Sequence, residues 1–193
     1  MRQKQSNDDD VGFFRLLVHG DLRISENLRL FVEGKSALAT GRDLPGGRRA
    51  LDEDSLALQQ AFVDLRLSEH VTLRSGRQAL QYGKQRLISP LDWSNTRRAW
   101  EGFKAIGTFP DRRVDIFATR FVPVDKHDFN EGETDVAFYG VYSVHVVSKQ
   151  LALDLYWLAF EKEKAVWGGI TDDEERYTVG LRAWSPKRIR HRL

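Results

Sequence analysis

The sequence predicts an all-β protein, an antiparallel up-and-down transmembrane β-barrel represented by about nine strands of a larger barrel. Three observations point there. Apolar residues recur with a period of two along most of the chain, the spacing of a strand that presents one apolar face. Short turns alternate with long loops, as in a barrel whose turns lie on one side of a membrane and whose loops lie on the other. The intervening segments are about nine to thirteen residues long, enough to cross a hydrocarbon layer at the usual tilt.

The first segment sets Phe14, Leu16, Val18, Gly20, Leu22 and Ile24 against Arg15, His19, Asp21 and Arg23. After a turn at Ser25–Asn27, Leu28, Leu30 and Val32 stand opposite Arg29, Glu33 and Lys35. A polar loop, Ala39–Asp54, leads to Ala61, Val63, Leu65 and Leu67, opposed by Gln60, Asp64 and Arg66. A turn at Ser68–His70 follows, then a strand that gives way to the basic loop Lys84–Arg98. Beyond the turn at Pro110–Arg112 and the loop Pro123–Thr134, Phe138, Tyr142, Val144 and Val146 oppose Ser143 and His145. Val147–Gln150 is a turn, after which Leu151, Leu153, Leu155 and Trp157 oppose Asp154. The last loop is expected over Glu161–Glu174, and the last strand sets Tyr177, Val179, Leu181 and Ala183 against Thr178 and Arg182. This divides the chain into a disordered polar N-terminus (1–11), the partial barrel (12–186) and a basic tail (187–193).

Composition fits that reading. The 30 Lys and Arg nearly balance the 28 Asp and Glu, which argues against a dedicated nucleic-acid binder. Cysteine is absent and the five His have no metal-ligand spacing, so neither a thiolate nor a metal site is expected. No catalytic motif is present, and no cofactor is implied. A mean hydropathy of −0.48 suits a barrel with a charged lumen, because only alternate residues meet lipid. Aromatic residues near strand ends (Phe13, Tyr82, Trp100, Phe109, Phe121, Tyr139, Trp157, Phe160, Tyr177 and Trp184) are candidates for interfacial girdles. The first residues lack the apolar stretch of a signal peptide.

The face opposite the apolar one carries the candidate pathway: Arg15, Arg23, Arg29, Asp64, Arg66, Arg74, Asp115, Asp154 and Arg182, with His19, Asp21, Glu33 and Lys35 beside them. Mixed cations and acids would attract an anionic solute and still release it. Arg77 breaks the alternation, because with Val71 and Leu73 facing lipid it also faces out. Either a bulge at Ser75-Gly76 restores the phase, or Arg77 reaches the rim.

The stretch Leu58–Leu67 and then Leu73–Ala105 resembles the alginate export family of bacterial outer-membrane proteins. The shared elements are Gln60-Ala61-Phe62, Gly76-Arg77-Gln78, Tyr82-Gly83, Arg86-Leu87, Asp92-Trp93-Ser94-Asn95 and Arg97-Arg98. The resemblance implies a barrel with about twice as many strands that passes an anionic exopolysaccharide, or small organic solutes, across the outer membrane. It adds Arg77, Arg86 and Arg98 to the pathway. It also implies a loop folded into the lumen as a constriction, carried by Asp92, Trp93 and Asn95 and anchored by Trp93. Expected partners are the solute, membrane lipid and periplasmic export machinery, with no nucleic acid. A soluble or periplasmic lipocalin-like binding module is the alternative, in which the apolar face would point inward.

Overall fold

Every segment with period-two spacing forms a strand, and each strand pairs antiparallel with the next. The computed structural model describes residues 10–41, 49–126 and 130–186. Its strands are β1 (Gly12–Arg23), β2 (Leu28–Thr40), β3 (Asp54–Arg66), β4 (Val71–Gln78), β5 (Ala99–Thr108), β6 (Arg112–Val122), β7 (Val136–Val146), β8 (Ala152–Trp167) and β9 (Ile170–Trp184). They form one open sheet in chain order, as an up-and-down barrel wall requires. Both edge strands, β1 and β9, run from the loop end of the sheet to the turn end and are therefore parallel to each other. The expected basic tail at 187–193, and residues 1–9 of the expected polar terminus, lie outside the described residues.

Three of the four tight turns use one device. The hydroxyl oxygens of Ser25, Ser68 and Ser148 accept from backbone N–H groups two and three residues on, at 3.1–3.3 Å. These local bonds satisfy donors that the hairpin leaves free. At the opposite end the expected alternation fails once. In place of a long loop over Glu161–Glu174, β8 and β9 continue outward and meet in the two-residue turn Gly168-Gly169. Both glycines have positive φ (57° and 86°), the backbone of the tight turn that best matches strand twist. A register irregularity between Lys162 and Ala165 marks where the hairpin leaves the main sheet.

Direct cross-strand partners point to the same side, so the register assigns every residue to a face. One side carries Leu16, Val18, Leu22, Val63, Leu65, Phe103, Ile116, Leu155, Val179 and Leu181, all exposed, with Val179 79% accessible. The other carries the buried charges, Asp154 at 0% and Lys35 at 3%. This arrangement inverts that of a soluble protein, in which apolar groups are buried and charges exposed. At the loop end of the apolar side, Arg77, Glu101, Arg120, Glu161 and Glu175 form a row of charge in direct register across neighbouring strands, interrupted only by Ala137 on β7. From Glu101 in that row to Thr108 at the turn end, β5 runs roughly 23 Å along the strand at about 3.3 Å per residue.

The β7 assignment is corrected. Phe138, Tyr142 and Val144, expected on the apolar outer side, pair with Thr119, Asp115 and Arg113 and face inward. Parity alone cannot choose between faces when both are apolar, and here the inner face is apolar because another part of the chain covers it. For the same reason Tyr82, Trp100, Phe121 and Phe160, read as girdle candidates, belong to an interior cluster with Leu80, Ile88, Phe117, Phe138, Leu158 and Tyr156.

Candidate functional site

The covering segment is the β4–β5 connection, residues 79–98. Its apolar side chains Leu80 and Ile88 are buried against the inward aromatics of β5–β8. Tyr82 stacks between Phe117 and Tyr142 at centroid distances of 5.8 and 4.6 Å, and its hydroxyl donates to Asp115 at 2.9 Å. Burial pushes the Tyr82 phenol above its ordinary pKa, and the Asp115 carboxylate adds to the effect, so the hydroxyl stays a donor. The far half of the connection is tied to β1, β2 and the β2–β3 connection. Arg15 donates to the Ser94 carbonyl at 2.8 Å. Asn95 donates to the carbonyls of Leu38 and Asp52 at 3.0 and 2.7 Å. The Ser94 and Thr96 hydroxyls donate to Leu51 and Ala50 carbonyls, each at 3.0 Å. The connection therefore spans the inner face from β1 to β8.

Trp93 is not its anchor. The ring is 76% exposed and lines a cleft of about 390 Å³ with Phe13, Arg15, Arg49 and Leu51. Asn95 ties the segment to β2 and the β2–β3 connection through the two carbonyls, and Asp92 forms an ion pair with Arg97 inside the segment. Arg97 also reaches Glu33 at 3.2 Å, and Glu33 accepts from Gln60 at 3.1 Å. The pairing of Arg97 with Glu33 joins residues 64 apart in sequence and left no local signal.

On the strands the inner face is a lattice of ion pairs. Asp64 accepts from Arg29 at 3.0 Å and from Arg74 at 2.7 and 2.8 Å. The second pairing is two-pronged, the geometry that only a guanidinium offers a carboxylate. Arg74 also lies 3.6 Å over the Phe62 ring, and Asp21 takes the other side of Arg29. Asp115 is gripped by Arg113, and Asp154 by Arg182, Tyr142 and Trp184 at 2.5–2.7 Å. Lys35 pairs with Asp54 at 2.9 Å, and Asp54 also accepts from Asn130. Period-two reading of β5 and β6 would have found Lys104 and Arg113, but Asn130 comes from a loop with no periodicity.

The sequence-predicted residues divide into three groups. Arg29, Asp64, Arg74, Asp115, Asp154 and Arg182 are brought together on the inner face, each in an ion pair. Arg23 and Arg66 lie near one another at the turn end, lining a cleft with Ser25, Arg29 and Thr72, and Arg15 lies at the loop end. Arg98 lies beneath the connection over the Phe121 ring, while Arg86 is exposed on its surface.

Arg77 does not join them. The register from Ala61 to Arg66 and from Val71 to Gln78 is unbroken, so the expected bulge is absent and Arg77 keeps its outward parity. Gly76 is needed for a different reason. Its φ is 123°, and a Cβ there would lie 2.3 Å from the Ala61 carbonyl oxygen. Arg77 sits in the charged row at the rim, donating to Glu101 at 2.7 Å and to the carbonyls of Leu58 and Asn130.

One asymmetry decides the electrostatics of the face. Among the described residues each inward acid on the main sheet (Asp21, Glu33, Asp54, Asp64, Asp115, Asp154 and Glu174) has a cationic partner. Arg23, Arg66 and Lys104 have no carboxylate partner among them. The uncompensated charge on the inner face is positive. The family model described as Alginate export matches residues 1–190, and no curated protein matches the chain.

Proposed function

The chain belongs to the alginate export family, a family of outer-membrane β-barrels that serve transport, and from that premise we propose that this sheet is part of the wall of an outer-membrane channel for an anionic polysaccharide or smaller organic anions. The observation that carries the reading is the division of one sheet into two faces. The outer side exposes an apolar band bounded by charge at the loop end, the surface a bilayer would cover. The inner side of the main sheet pairs its acids and leaves cations over, which favours anions. Each contact along such a face is one exposed or shared charge, weak enough to be exchanged for the next. Arg29, Arg74 and Arg182 act mainly by holding Asp64 and Asp154 neutralised, whereas the exposed Arg23 and Arg66 meet the solute and the buried Lys104 adds positive potential behind them. Residues 79–98 narrow the passage. A lipocalin-like module would place the apolar face inward; the exposed apolar residues on the side away from residues 79–98 support the channel reading instead.

The test is refolding of the chain into lipid vesicles, followed by planar-bilayer conductance under a salt gradient. Anion-selective steps whose selectivity falls in the triple variant Arg23→Gln, Arg66→Gln, Lys104→Gln, and not in Arg77→Gln, would bear the reading out. A chain that stays monomeric in water and does not insert would overturn it.

A further inference from the structure

We propose that the cleft between residues 79–98 and the inner face of β5–β9, with Arg176 at its far side, is a binding site for a small carboxylate with an apolar body, held by Arg98. The Arg98 backbone N–H donates to the Pro90 carbonyl at 2.8 Å, which fixes the chain beside the cleft that Arg98 lines. Its guanidinium lies 5.9 Å from the Phe121 ring centroid and has no carboxylate or carbonyl acceptor among the described residues. Its half-buried neighbour Arg97 and the inward strand arginines Arg74 and Arg182 all have carboxylate partners. Burial lowers the Arg98 pKa from its ordinary value, the mark of a cation withdrawn from water without a counter-ion. Facing the same cleft, Arg176 lies 5.4 Å over the Phe160 ring and shares Glu174.

The space between them is about 230 Å³, below the roughly 300–1,000 Å³ of pockets for drug-sized ligands, so it admits about one ring. Its floor is apolar, formed by Ile88, Trp100, Phe138, Leu158 and Phe160. Only Ser89 and Thr178 offer hydroxyls, too few to satisfy a sugar acid that buries its own hydroxyls there. A free apolar carboxylate therefore fits better than one unit of a polysaccharide, although both share the carboxylate that Arg98 would bind. The site goes beyond the channel reading, and its occupancy is measured without any conductance.

The experiment uses the full chain refolded in non-ionic detergent micelles and titrated with para-fluorobenzoate, followed by fluorine NMR. Saturable binding is expected, weakened at least about tenfold by Arg98→Met, as loss of a charge-assisted bond implies. The uncharged para-fluorobenzamide should show no saturable binding. Equal binding by Arg98→Met or by the amide would overturn the proposal. Galacturonate displacing the probe better than unlabelled benzoate would overturn the apolar-body assignment. Should Arg98→Met not refold, Thr178→Trp fills the cleft from its β9 wall. Loss of binding in that variant supports the site, and undiminished binding refutes it.

Discussion

Two connections leave the same end of the sheet and behave in opposite ways. Residues 79–98 turn back across the inner face, while the segment between β8 and β9 projects outward as a hairpin around Gly168-Gly169. Both are rich in charge, so charge does not decide. The first carries Leu80, Tyr82 and Ile88 at spacings that reach an aromatic surface on the inner face, and Leu80 is 0% exposed. The second has its apolar residues Val166, Trp167 and Ile170 at the tip, all exposed, and its charges in cross-strand register, such as Lys162 opposite Glu174. Where apolar groups sit within a connection, more than how many there are, determines whether it folds in or stands out.

The contrast can be broken at four points. Leu80→Ala should have the largest effect, about 2–5 kcal/mol, because it opens a cavity beneath the inward connection. Urea unfolding in micelles, together with faster proteolytic nicking within residues 79–98, would show it. Tyr82→Phe should cost about 1.5–3 kcal/mol through the lost bond to the Asp115 carboxylate. That residue also sets a pH dependence. Since its folded pKa lies above the ordinary 10.0, its contribution is complete below about pH 10 and declines as pH rises further. The wild-type chain should release the connection in alkali, and the phenylalanine variant should lose that part of the alkaline dependence. Ultraviolet titration alongside nicking would separate them.

On the projecting side, Gly169→Val places a β-branched residue at φ 86° and should cost about 1–2 kcal/mol. The loss should be confined to faster hydrogen exchange at the hairpin tip, with global unfolding little changed. Trp93→Ala should do least, within about 0.5 kcal/mol, because its ring rests on almost nothing. A large destabilisation there would return Trp93 to the role of anchor and weaken the comparison.

The strands and their turns were legible because a half-lipid, half-lumen strand has a strict period of two, and the serine turns carry local chemistry. Arg29, Asp64, Arg74, Asp154 and Arg182 could be assigned to one face on that basis. The partners of Arg97 and Asn130 could not, since they are set by two connections that each reach strands far away in sequence. Phe138 and Tyr142 were misassigned because hydrophobicity marks burial and not the side on which burial occurs. Gly168-Gly169 lies inside the polar stretch expected as the loop Glu161–Glu174, and the cross-strand pairing of its charges appears only once the register is known.

The two edges of the sheet run in the same direction, and this has a combinatorial consequence. Strands that complete a ring with antiparallel neighbours throughout must be odd in number. A second set of nine would total eighteen, yet would meet the first across two parallel seams if its loops pointed the same way. Turning that set over would restore antiparallel seams and send its loops to the opposite side of the bilayer. The direction of β1 and β9 thus restricts which assemblies can close this wall before any side chain is considered.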